Sequence, residues 1–315
     1  ININYYESIN IFTYSYDGFN WTNGNIITNG LTIGYAVSYN GSKFVATGSN
    51  TAGFLNTSTV FSYSIDGINW YGGITSPTIT TGYTIGWNGT MFLAGGNTLI
   101  LNSSNVFVYS YDGMNWNSST GSTAITTCNS LAWNGNQWVG VGQISTPATT
   151  GVFVYSPDGI NWNSGINNTS ITIGKGVSWN GSLWVANGSN SLGTSNTSVF
   201  AYSSDGVYWN SGINNSKMTI GNSVVWNSKL GNVNIVHPTI ALGIGKNSIA
   251  YSPDGINWTG LGKSIFSTSG ICAVWNGSLW VAGGSGNNNT LGYSADGLNW
   301  TGLGKTIFTT QCNNI

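Results

Sequence analysis

The side chains that could do acid–base or metal chemistry are few, and the acids belong almost entirely to one phrase. The chain has eight acidic residues, of which Glu7 alone is not an aspartate. Each aspartate is preceded by Ser-x and followed by Gly, with Trp three residues after that glycine. These aspartates are Asp17, Asp66, Asp112, Asp158, Asp205, Asp254 and Asp296. Because equivalent positions of a repeat cannot converge on one small site, we predict that the carboxylates accept turn backbone N–H groups.

Few residues of the chain could support nucleophilic catalysis. A Ser-His-Asp triad would need the sole histidine, His237, which has no aspartate outside the repeated phrase to orient it. The three cysteines, Cys128, Cys272 and Cys312, are an odd number at wide spacing and match neither a disulfide framework nor a zinc motif. We predict that they are small buried apolar side chains, and that the protein is not an enzyme and uses no metal or cofactor.

The repeat itself predicts the fold. The phrase Tyr-Ser-x-Asp-Gly-x-Asn-Trp returns seven times with little change, at intervals of roughly 40 to 50 residues, the length of one β-propeller blade. A second phrase, an aromatic residue followed by Asn-Gly, lies between the copies of the first, as in Trp179-Asn180-Gly181. Asn-Gly between β-like runs predicts a type I′ hairpin joining the first two strands of each unit. In Ser156-Pro157-Asp158-Gly159, Pro suits a type I turn and Gly the left-handed position after it, so the third and fourth strands form a second hairpin.

Together these signals predict an all-β fold, since no stretch carries a sustained helical period with caps. We expect residues 1–315 to form a single domain, a seven-bladed β-propeller of four-stranded antiparallel blades. Residues 311–315 should enter the first strand of the seventh blade, and the segment before Asp17 should supply its outer strands. Strands from the two ends would then pair in one sheet and close the ring.

The phrase Ser-x-Asp-Gly-x-x-Trp resembles the Asp-box, or BNR repeat, of sialidases and many other propellers, and the resemblance covers essentially the whole chain. Here the phrase is one residue shorter between Asp and Trp than the usual Ser-x-Asp-x-Gly-x-Thr-Trp. The resemblance implies that the box is a fold element remote from any active site. Sialidases hold the substrate carboxylate with arginines, and this chain has none. Phrases such as Ser-Pro-Asp-Gly-Ile-Asn-Trp-Thr-Gly also resemble tandem-repeat propeller proteins encoded by giant DNA viruses.

The composition and the length of the apolar runs argue against two classes of partner, nucleic acids and membranes. Charged residues make up 5% of the chain, against roughly 25% in a typical soluble domain. The basic residues are scattered singly, so we expect no nucleic-acid binding through phosphate neutralisation. No apolar run approaches the roughly 20 residues that span a bilayer, so we expect no membrane insertion. The lysines are Lys43, Lys175, Lys217, Lys229, Lys246, Lys263 and Lys305.

Asparagine and tryptophan leave two further interpretations open. Asn-x-Ser/Thr sequons permit, without establishing, N-glycosylation of a secreted protein. They include Asn40, Asn56, Asn88, Asn102, Asn117, Asn180, Asn187, Asn196, Asn257, Asn276 and Asn299. The fifteen tryptophans all occupy repeat positions, which predicts packing between blades, whereas exposed indoles would stack on sugars.

The sequence therefore supports two functions. The first is a non-catalytic structural or assembly protein, extracellular or virion-associated, that contacts protein partners or itself and can carry glycans. This follows from a formal net charge of −1 with few charges to mix, because such a surface promotes association. The alternative is a carbohydrate-binding, lectin-like propeller that uses the loops at 49–59, 97–105 and 189–198. An irregular insertion at 228–238, which contains His237, reads as a surface loop or a contact site.

Overall fold

The computed structural model describes residues 11–28, 30–50, 59–98, 105–123, 125–144, 152–190, 198–226 and 238–315. In these ranges every regular element is a β-strand, so the all-β prediction is confirmed. Among the residues described there is accordingly no helix long and apolar enough to cross a membrane. The predicted loops at 49–59, 97–105 and 189–198 and the insertion at 228–238 lie largely or wholly outside the described residues, as does His237.

The strands fall into one N-terminal hairpin and six four-stranded units. The N-terminal hairpin has β1 (Thr13–Tyr14) and β2 (Thr22–Asn23), and β3 (Asn25–Ile26) follows it. Unit 1 has β4 (Ile33–Tyr39), β5 (Phe44–Ser49), β6 (Thr59–Ser64) and β7 (Asn69–Thr75). Unit 2 has β8 (Thr81–Trp87), β9 (Phe92–Asn97), β10 (Phe107–Ser110) and β11 (Asn117–Ser118), and β12 (Thr120–Ser122) follows. Unit 3 has β13 (Thr127–Trp133), β14 (Trp138–Gln143), β15 (Phe153–Ser156) and β16 (Asn161–Ser164), and β17 (Ile166–Asn168) follows.

The last three units continue this order. Unit 4 has β18 (Ile173–Trp179), β19 (Trp184–Ser189), β20 (Phe200–Ser203) and β21 (Tyr208–Ser211), and β22 (Ile213–Asn214) follows. Unit 5 has β23 (Met218–Val225), β24 (Thr239–Gly245), β25 (Ile249–Ser252) and β26 (Asn257–Gly260). Unit 6 has β27 (Ser269–Trp275), β28 (Trp280–Ser285), β29 (Leu291–Ser294) and β30 (Thr301–Gly302).

Within each unit the strands pair antiparallel in chain order, as two successive hairpins require. One pairing, between Thr127 and Asn97, also joins units 2 and 3 into a single nine-stranded sheet. In units 1, 3, 4 and 5 a fifth, short strand pairs in parallel with the fourth strand. The parallel pairs are β3 with β7, β12 with β16, β17 with β21 and β22 with β26. Each of these short strands comes from the linker that leaves the preceding unit. The linker therefore covers part of the free edge of the next sheet, where unpaired N–H and C=O groups would otherwise be exposed.

The loop between the first two strands differs from the predicted type I′ turn. Strand pairing in unit 1 ends at Tyr39 and Phe44, so the loop has four residues rather than two. Within it, the Asn40 side-chain oxygen accepts the N–H groups of Ser42 and Lys43 at 3.0 and 2.8 Å. Gly41 alone takes a positive φ, of 96°, and Asn40 does not. The asparagine therefore works through its side chain, as in an Asx turn, and not through a left-handed backbone.

The units pack on one another through aromatic stacks. Phe153 of unit 3 lies parallel to Trp209 of unit 4, with ring centroids 4.1 Å apart and an interplanar angle of 7°. Both side chains are fully buried. The same stack joins the other successive pairs up to unit 5, namely Phe12–Trp70, Phe61–Trp116, Phe107–Trp162 and Phe200–Trp258. The core is thus a series of apolar layers between sheets, which need large flat side chains.

The two ends of the chain meet, although not by the predicted strand pairing. The N-terminal hairpin is a separate two-stranded sheet, and in the described residues no ladder joins it to the C-terminal segment. Gln311 instead forms an isolated bridge with Ser285 of unit 6. Trp21 of the hairpin packs against the cluster of Leu291, Cys272 and Cys312. The two ends therefore associate through side chains. The bridge at Gln311 joins the C-terminal segment to unit 6 only, and it is a single pairing that does not extend into a strand.

Candidate functional site

The aspartate of each repeated phrase is bound into its own turn. In unit 3, Asp158 Oδ1 accepts the N–H groups of Ile160 and Asn161 at 2.8 and 2.7 Å. Ser156 Oγ donates to the same oxygen at 2.9 Å and accepts the Gly159 N–H at 2.8 Å. Asp158 Oδ2 accepts the Asn161 amide at 2.8 Å. One carboxylate thus satisfies the polar groups of a turn in which Gly159 takes the left-handed φ of 73°.

The same arrangement recurs at all seven aspartates, each holding the N–H groups two and three residues ahead. These carboxylates are those of Asp17, Asp66, Asp112, Asp158, Asp205, Asp254 and Asp296. Asp205 differs in one respect, because Tyr208 occupies the position of the amide donor. The structure places every aspartate in a hairpin turn and brings no two of them together at one site. In the described residues no three His, Cys, Asp or Glu side chains gather to hold a metal ion.

Hydrogen bonding lowers the pKa of these carboxyl groups. At Asp158 partial burial raises the pKa, but hydrogen bonds from the backbone N–H and side-chain amide of Asn161 outweigh this effect and lower the pKa to about 2. Asp254 and Asp296 also have a pKa of about 2 for the same reasons. The backbone N–H of Asn20 holds the pKa of Asp17 well below its usual range. All of these groups are anionic at neutral pH, which suits a hydrogen-bond acceptor and not a general acid.

The tryptophans serve packing rather than an exposed platform. None of the fifteen is exposed, and Trp138, Trp184, Trp209, Trp258 and Trp280 are among the largest fully buried side chains. Several indoles also close their own turn, as where Trp162 Nε1 donates to the Gly159 carbonyl at 3.0 Å. The tryptophans therefore do not provide the exposed indole rings that a sugar-stacking site would use.

The predicted glycosylation sites divide into accessible and inaccessible ones. Asn187 must be removed from the set, because it is fully buried in β19 and its amide donates to the Ser223 carbonyl at 2.7 Å. Asn117 is exposed. The amides of Asn257 and Asn299 are exposed but donate to the aspartate three residues earlier. Asn40, Asn88, Asn180 and Asn276 cap the first hairpin of their units. Asn56, Asn102 and Asn196 lie outside the described residues.

A row of bulged residues is the feature that sequence reasoning missed. The first strand of every unit slips by one residue against the second at the same place, and the extra residue projects from the ladder. Unit 5 has a second slip earlier in its first strand, between Met218 and Ile220. The extra residues of units 1 to 6 are all half-buried, and we call them the bulge row. They are Tyr35, Tyr83, Asn129, Lys175, Asn222 and Ile271.

Neighbouring members of the bulge row contact one another or one another's backbone. The rings of Tyr35 and Tyr83 meet edge to face with centroids 5.1 Å apart. Asn129 donates its amide to the Gly174 carbonyl at 2.8 Å, immediately before Lys175. The bulge row therefore places aromatic, amide and ammonium groups at the same position of successive units.

Lys175 carries the one charge in the bulge row. Its Nζ donates to Asn222 Oδ1 at 3.2 Å, and the Asn222 amide donates onward to the Gly270 carbonyl at 2.9 Å. Burial lowers the pKa of Lys175. The Asn222 partner is a neutral amide and takes one of the three N–H donors of the ammonium.

A spacing rule could have found the bulge row. Each member lies four residues before the aromatic residue of the Asn-Gly phrase, as Lys175 lies before Trp179. The side-chain types vary from Tyr to Asn, Lys and Ile, so a search for repeated letters passes over them. Variation at a fixed place in a repeat is typical of positions that face a ligand or solvent rather than the core.

Comparison with known proteins adds to the fold alone. No protein-family model matches the chain, and no curated protein matches it. Among solved structures, the crystal structure of the computationally designed Ika8 protein is similar, with a TM-score of 0.53 and 9% sequence identity. The match covers 90% of this chain and 77% of the designed one. At that identity the likeness concerns the path of the backbone and carries nothing about function.

Proposed function

We propose that the chain is a seven-bladed β-propeller of the Asp-box kind that works as a non-catalytic assembly protein and associates with further copies of itself. Six blades are units 1 to 6. The N-terminal hairpin would supply the third and fourth strands of the seventh blade, and residues 311–315 its first strand. The proposal keeps an extracellular or virion-associated location, where such a surface would be assembled or glycosylated.

Contacts at the blade interfaces support a closed ring. In units 2, 4, 5 and 6 the turn glycine approaches the second strand of the preceding unit, as Gly255 approaches Val185 and Gly297 approaches Ile240. Gly18 of the N-terminal hairpin stands in the same relation to Val281 of unit 6. Phe19 of that hairpin also meets Tyr293 edge to face at 4.8 Å. The hairpin thus docks on unit 6 as units 2, 4, 5 and 6 dock on their predecessors.

A matching of large and small side chains supports the same ring. At each interface a second-strand residue faces the residue just before the next bulge, and one of the two is small. The pairs are Thr47–Gly82, Gly95–Cys128, Val141–Gly174, Asn187–Gly221, Leu242–Gly270 and Gly283–Cys312. The last pair puts Cys312 in the position that Cys128 has in unit 3. This is the position that a first strand of a seventh blade would occupy.

Exposed apolar side chains at the turns carry the assembly proposal. The residue before the turn aspartate is Tyr16 in the N-terminal hairpin, Ile65 in unit 1 and Tyr111 in unit 2, and these are 90%, 68% and 58% exposed. Units 3 to 6 have the smaller Pro157, Ser204, Pro253 and Ala295 there. One sector of the turn face is therefore apolar, and such exposed patches favour protein contacts.

A second copy of the chain is the occupant that the charges favour. Long-range repulsion between copies is weak, since the formal net charge is −1. A net charge near zero promotes association. The surface that we expect a second copy to contact consists of the three apolar side chains Tyr16, Ile65 and Tyr111.

Sedimentation velocity across a range of protein concentrations tests the assembly function. We expect the mean mass to rise with concentration and the rise to be lost when Tyr16, Ile65 and Tyr111 are all changed to Ser. Tyr208→Ser, which removes an exposed tyrosine from unit 4, is the matched control and should keep the association. A protein that remains monomeric at every concentration would contradict the proposal.

Carbohydrate binding is the second candidate, and the bulge row is the observation that favours it. Tyr35 and Tyr83 supply aromatic surface, and Asn129, Lys175 and Asn222 supply donors, which is the chemistry that sugar hydroxyls and carboxylates engage. Screening the protein against an array of neutral and acidic glycans tests this function. Binding that is lost in Lys175→Ala and Asn222→Ala and kept in Tyr208→Ser would support it. A protein that neither binds glycans nor associates would contradict both candidates.

A further inference from the structure

Two of the three cysteines face each other at the point where the C-terminal segment meets unit 6. Cys272 is the residue after the bulge in β27, and Cys312 lies in the C-terminal segment, with its N–H donating to the Gly284 carbonyl at 3.1 Å. Their side chains are 8% and 1% exposed and belong to one buried cluster. The two thiols are thus neighbours despite a separation of forty residues in the sequence.

Gly283 limits how far apart the sulfur atoms can be. A Cβ placed on this glycine would lie 2.7 Å from the Sγ of Cys272 and 2.7 Å from the Sγ of Cys312. The two sulfurs are therefore at most twice that distance apart, and they share a space that a side chain at residue 283 would fill. Cys272 Sγ also lies 3.9 Å from the Cys312 carbonyl oxygen.

The equivalent place in unit 2 shows that the pair is not a general feature of the repeat. There Gly95 faces Cys128 and Thr84, so that one cysteine stands beside a threonine. Packing alone is satisfied by that combination. The thiol pair at 272 and 312 adds a chemical capability that the Thr84–Cys128 contact lacks.

We propose that Cys272 and Cys312 form a disulfide bond that fastens the C-terminal segment to unit 6. The oxidant is a low-molecular-weight disulfide such as oxidised glutathione. The Cys312 thiolate attacks one glutathione sulfur and expels the other as a thiolate. The Cys272 thiolate then attacks Cys312 Sγ and expels the second glutathione. Two protein thiols become one disulfide, and two glutathione thiols are released with the two protons.

Local opening of the C-terminal segment gives the oxidant access. The thiol of Cys312 and burial raise the pKa of Cys272, so the closed segment keeps this thiol protonated. The segment is held by the isolated Gln311 bridge, by the Cys312 N–H bond to the Gly284 carbonyl and by the Asn314 amide, which donates to the Tyr35 carbonyl. Segments with few backbone pairings open at low free-energy cost. Closing of the segment then brings the two sulfurs back together. The attack of Cys272 on Cys312 is therefore favoured over its reaction with a second molecule of oxidised glutathione. The proposal is independent of the assembly function.

Peptide mapping after oxidation tests the disulfide directly. The folded protein is incubated with oxidised glutathione, its free thiols are blocked in denaturant with N-ethylmaleimide, and it is digested with trypsin. Cleavage after Lys263 and Lys305 puts Cys272 and Cys312 on separate peptides, residues 264–305 and 306–315, while Cys128 falls on residues 44–175. We expect a species with the mass of the two smaller peptides less two hydrogens, which disappears on reduction.

Two results would overturn the proposal. One is that both small peptides carry blocked thiols after the incubation, and the other is that the linkage involves residues 44–175. Thermal unfolding supplies a second readout, because a disulfide constrains the unfolded chain. The oxidised protein should melt on the order of 5 °C above the reduced one. Cys312→Ser should abolish this difference, and Cys128→Ser should retain it.

Discussion

At the scale of single residues, the aspartate carboxylates of this chain accept hydrogen bonds within their own turns. A free carboxylate in a hairpin could act as an acid, a base or a metal ligand. Here Asp158 accepts four hydrogen bonds from its own turn, from Ile160, Asn161 and Ser156. The seven carboxylates are therefore structural groups, and the residues that vary between units are the ones left to meet a partner.

Asp205 offers a test of this interpretation because its turn lacks one donor. Changing Tyr208 to Asn should supply the amide that reaches the second carboxylate oxygen in the other six turns. We expect the pKa of Asp205 to fall further and the free energy of unfolding to rise by about 0.5 kcal/mol, the size of one exposed hydrogen bond. The pKa is measurable by NMR titration of the carboxyl carbon. A pKa of Asp205 that does not change in Tyr208→Asn would contradict the role given to the amide.

The depressed carboxyl pKa values also predict the acid stability. A carboxyl group that is more acidic in the folded protein than in the unfolded chain stabilises the fold above its unfolded pKa and loses this contribution as the pH falls through the folded pKa. For Asp158, Asp254 and Asp296 the window runs from the ordinary value of 3.8 down to about 2. The free energy of unfolding should therefore decrease between pH 4 and pH 2 and be nearly constant from pH 5 to pH 7.

Urea unfolding at a series of pH values checks this dependence. Asp158→Asn keeps an acceptor oxygen but does not titrate, so the loss of stability below pH 4 should be smaller in this variant than in the parent protein. Equal slopes in the two proteins would mean that the turn carboxylates do not control acid stability.

At the scale of elements, the sequence predicted the strands and hairpins well and the turn details poorly. The repeated phrase placed the third and fourth strands because Gly159 and its equivalents need a left-handed backbone, which few residues other than glycine adopt. The type I′ prediction was wrong because Asn180 and its equivalents can also cap a longer loop with the side chain, and the dipeptide does not distinguish the two. A search for repeated residue types misses the bulge for a related reason, since an inserted residue changes register without changing composition, and only its fixed spacing from the aromatic residue marks it.

The matching of large and small residues at the unit interfaces leads to a prediction about packing. Gly174 has an ordinary backbone conformation, but a Cβ on it would lie 2.7 Å from Val141 Cβ. Gly174→Cys should therefore destabilise the protein by about 1–3 kcal/mol through overpacking. Adding Val141→Gly recreates the Gly95–Cys128 pair, so the double variant should be more stable than the sum of the single changes predicts.

A double-mutant cycle measures this coupling from the free energies of unfolding in urea. Residues in direct contact typically show interaction energies of roughly 0.5–3 kcal/mol, and we expect a value within that range and of favourable sign. Additive effects of the two changes would show that the two side chains do not share one space.

At the scale of the whole molecule, the question is how the units close on themselves. Periodicity predicted seven units, but it could not predict how incomplete strands at the two ends would meet, because that depends on side-chain contacts with no local signature. Gly18 meets unit 6 as the turn glycines of units 2, 4, 5 and 6 meet the units before them, and Phe19 of the hairpin also contacts unit 6. The proposed ring follows from this equivalence.

A crystal structure of the protein is the most direct measurement of the proposed ring. We expect seven sheets around one axis, with Phe19 against Tyr293, Trp21 in the cluster of Leu291 and Cys312, and the bulge row along the inner strands. An open array of six sheets, in which the N-terminal hairpin makes no contact with unit 6, would contradict it.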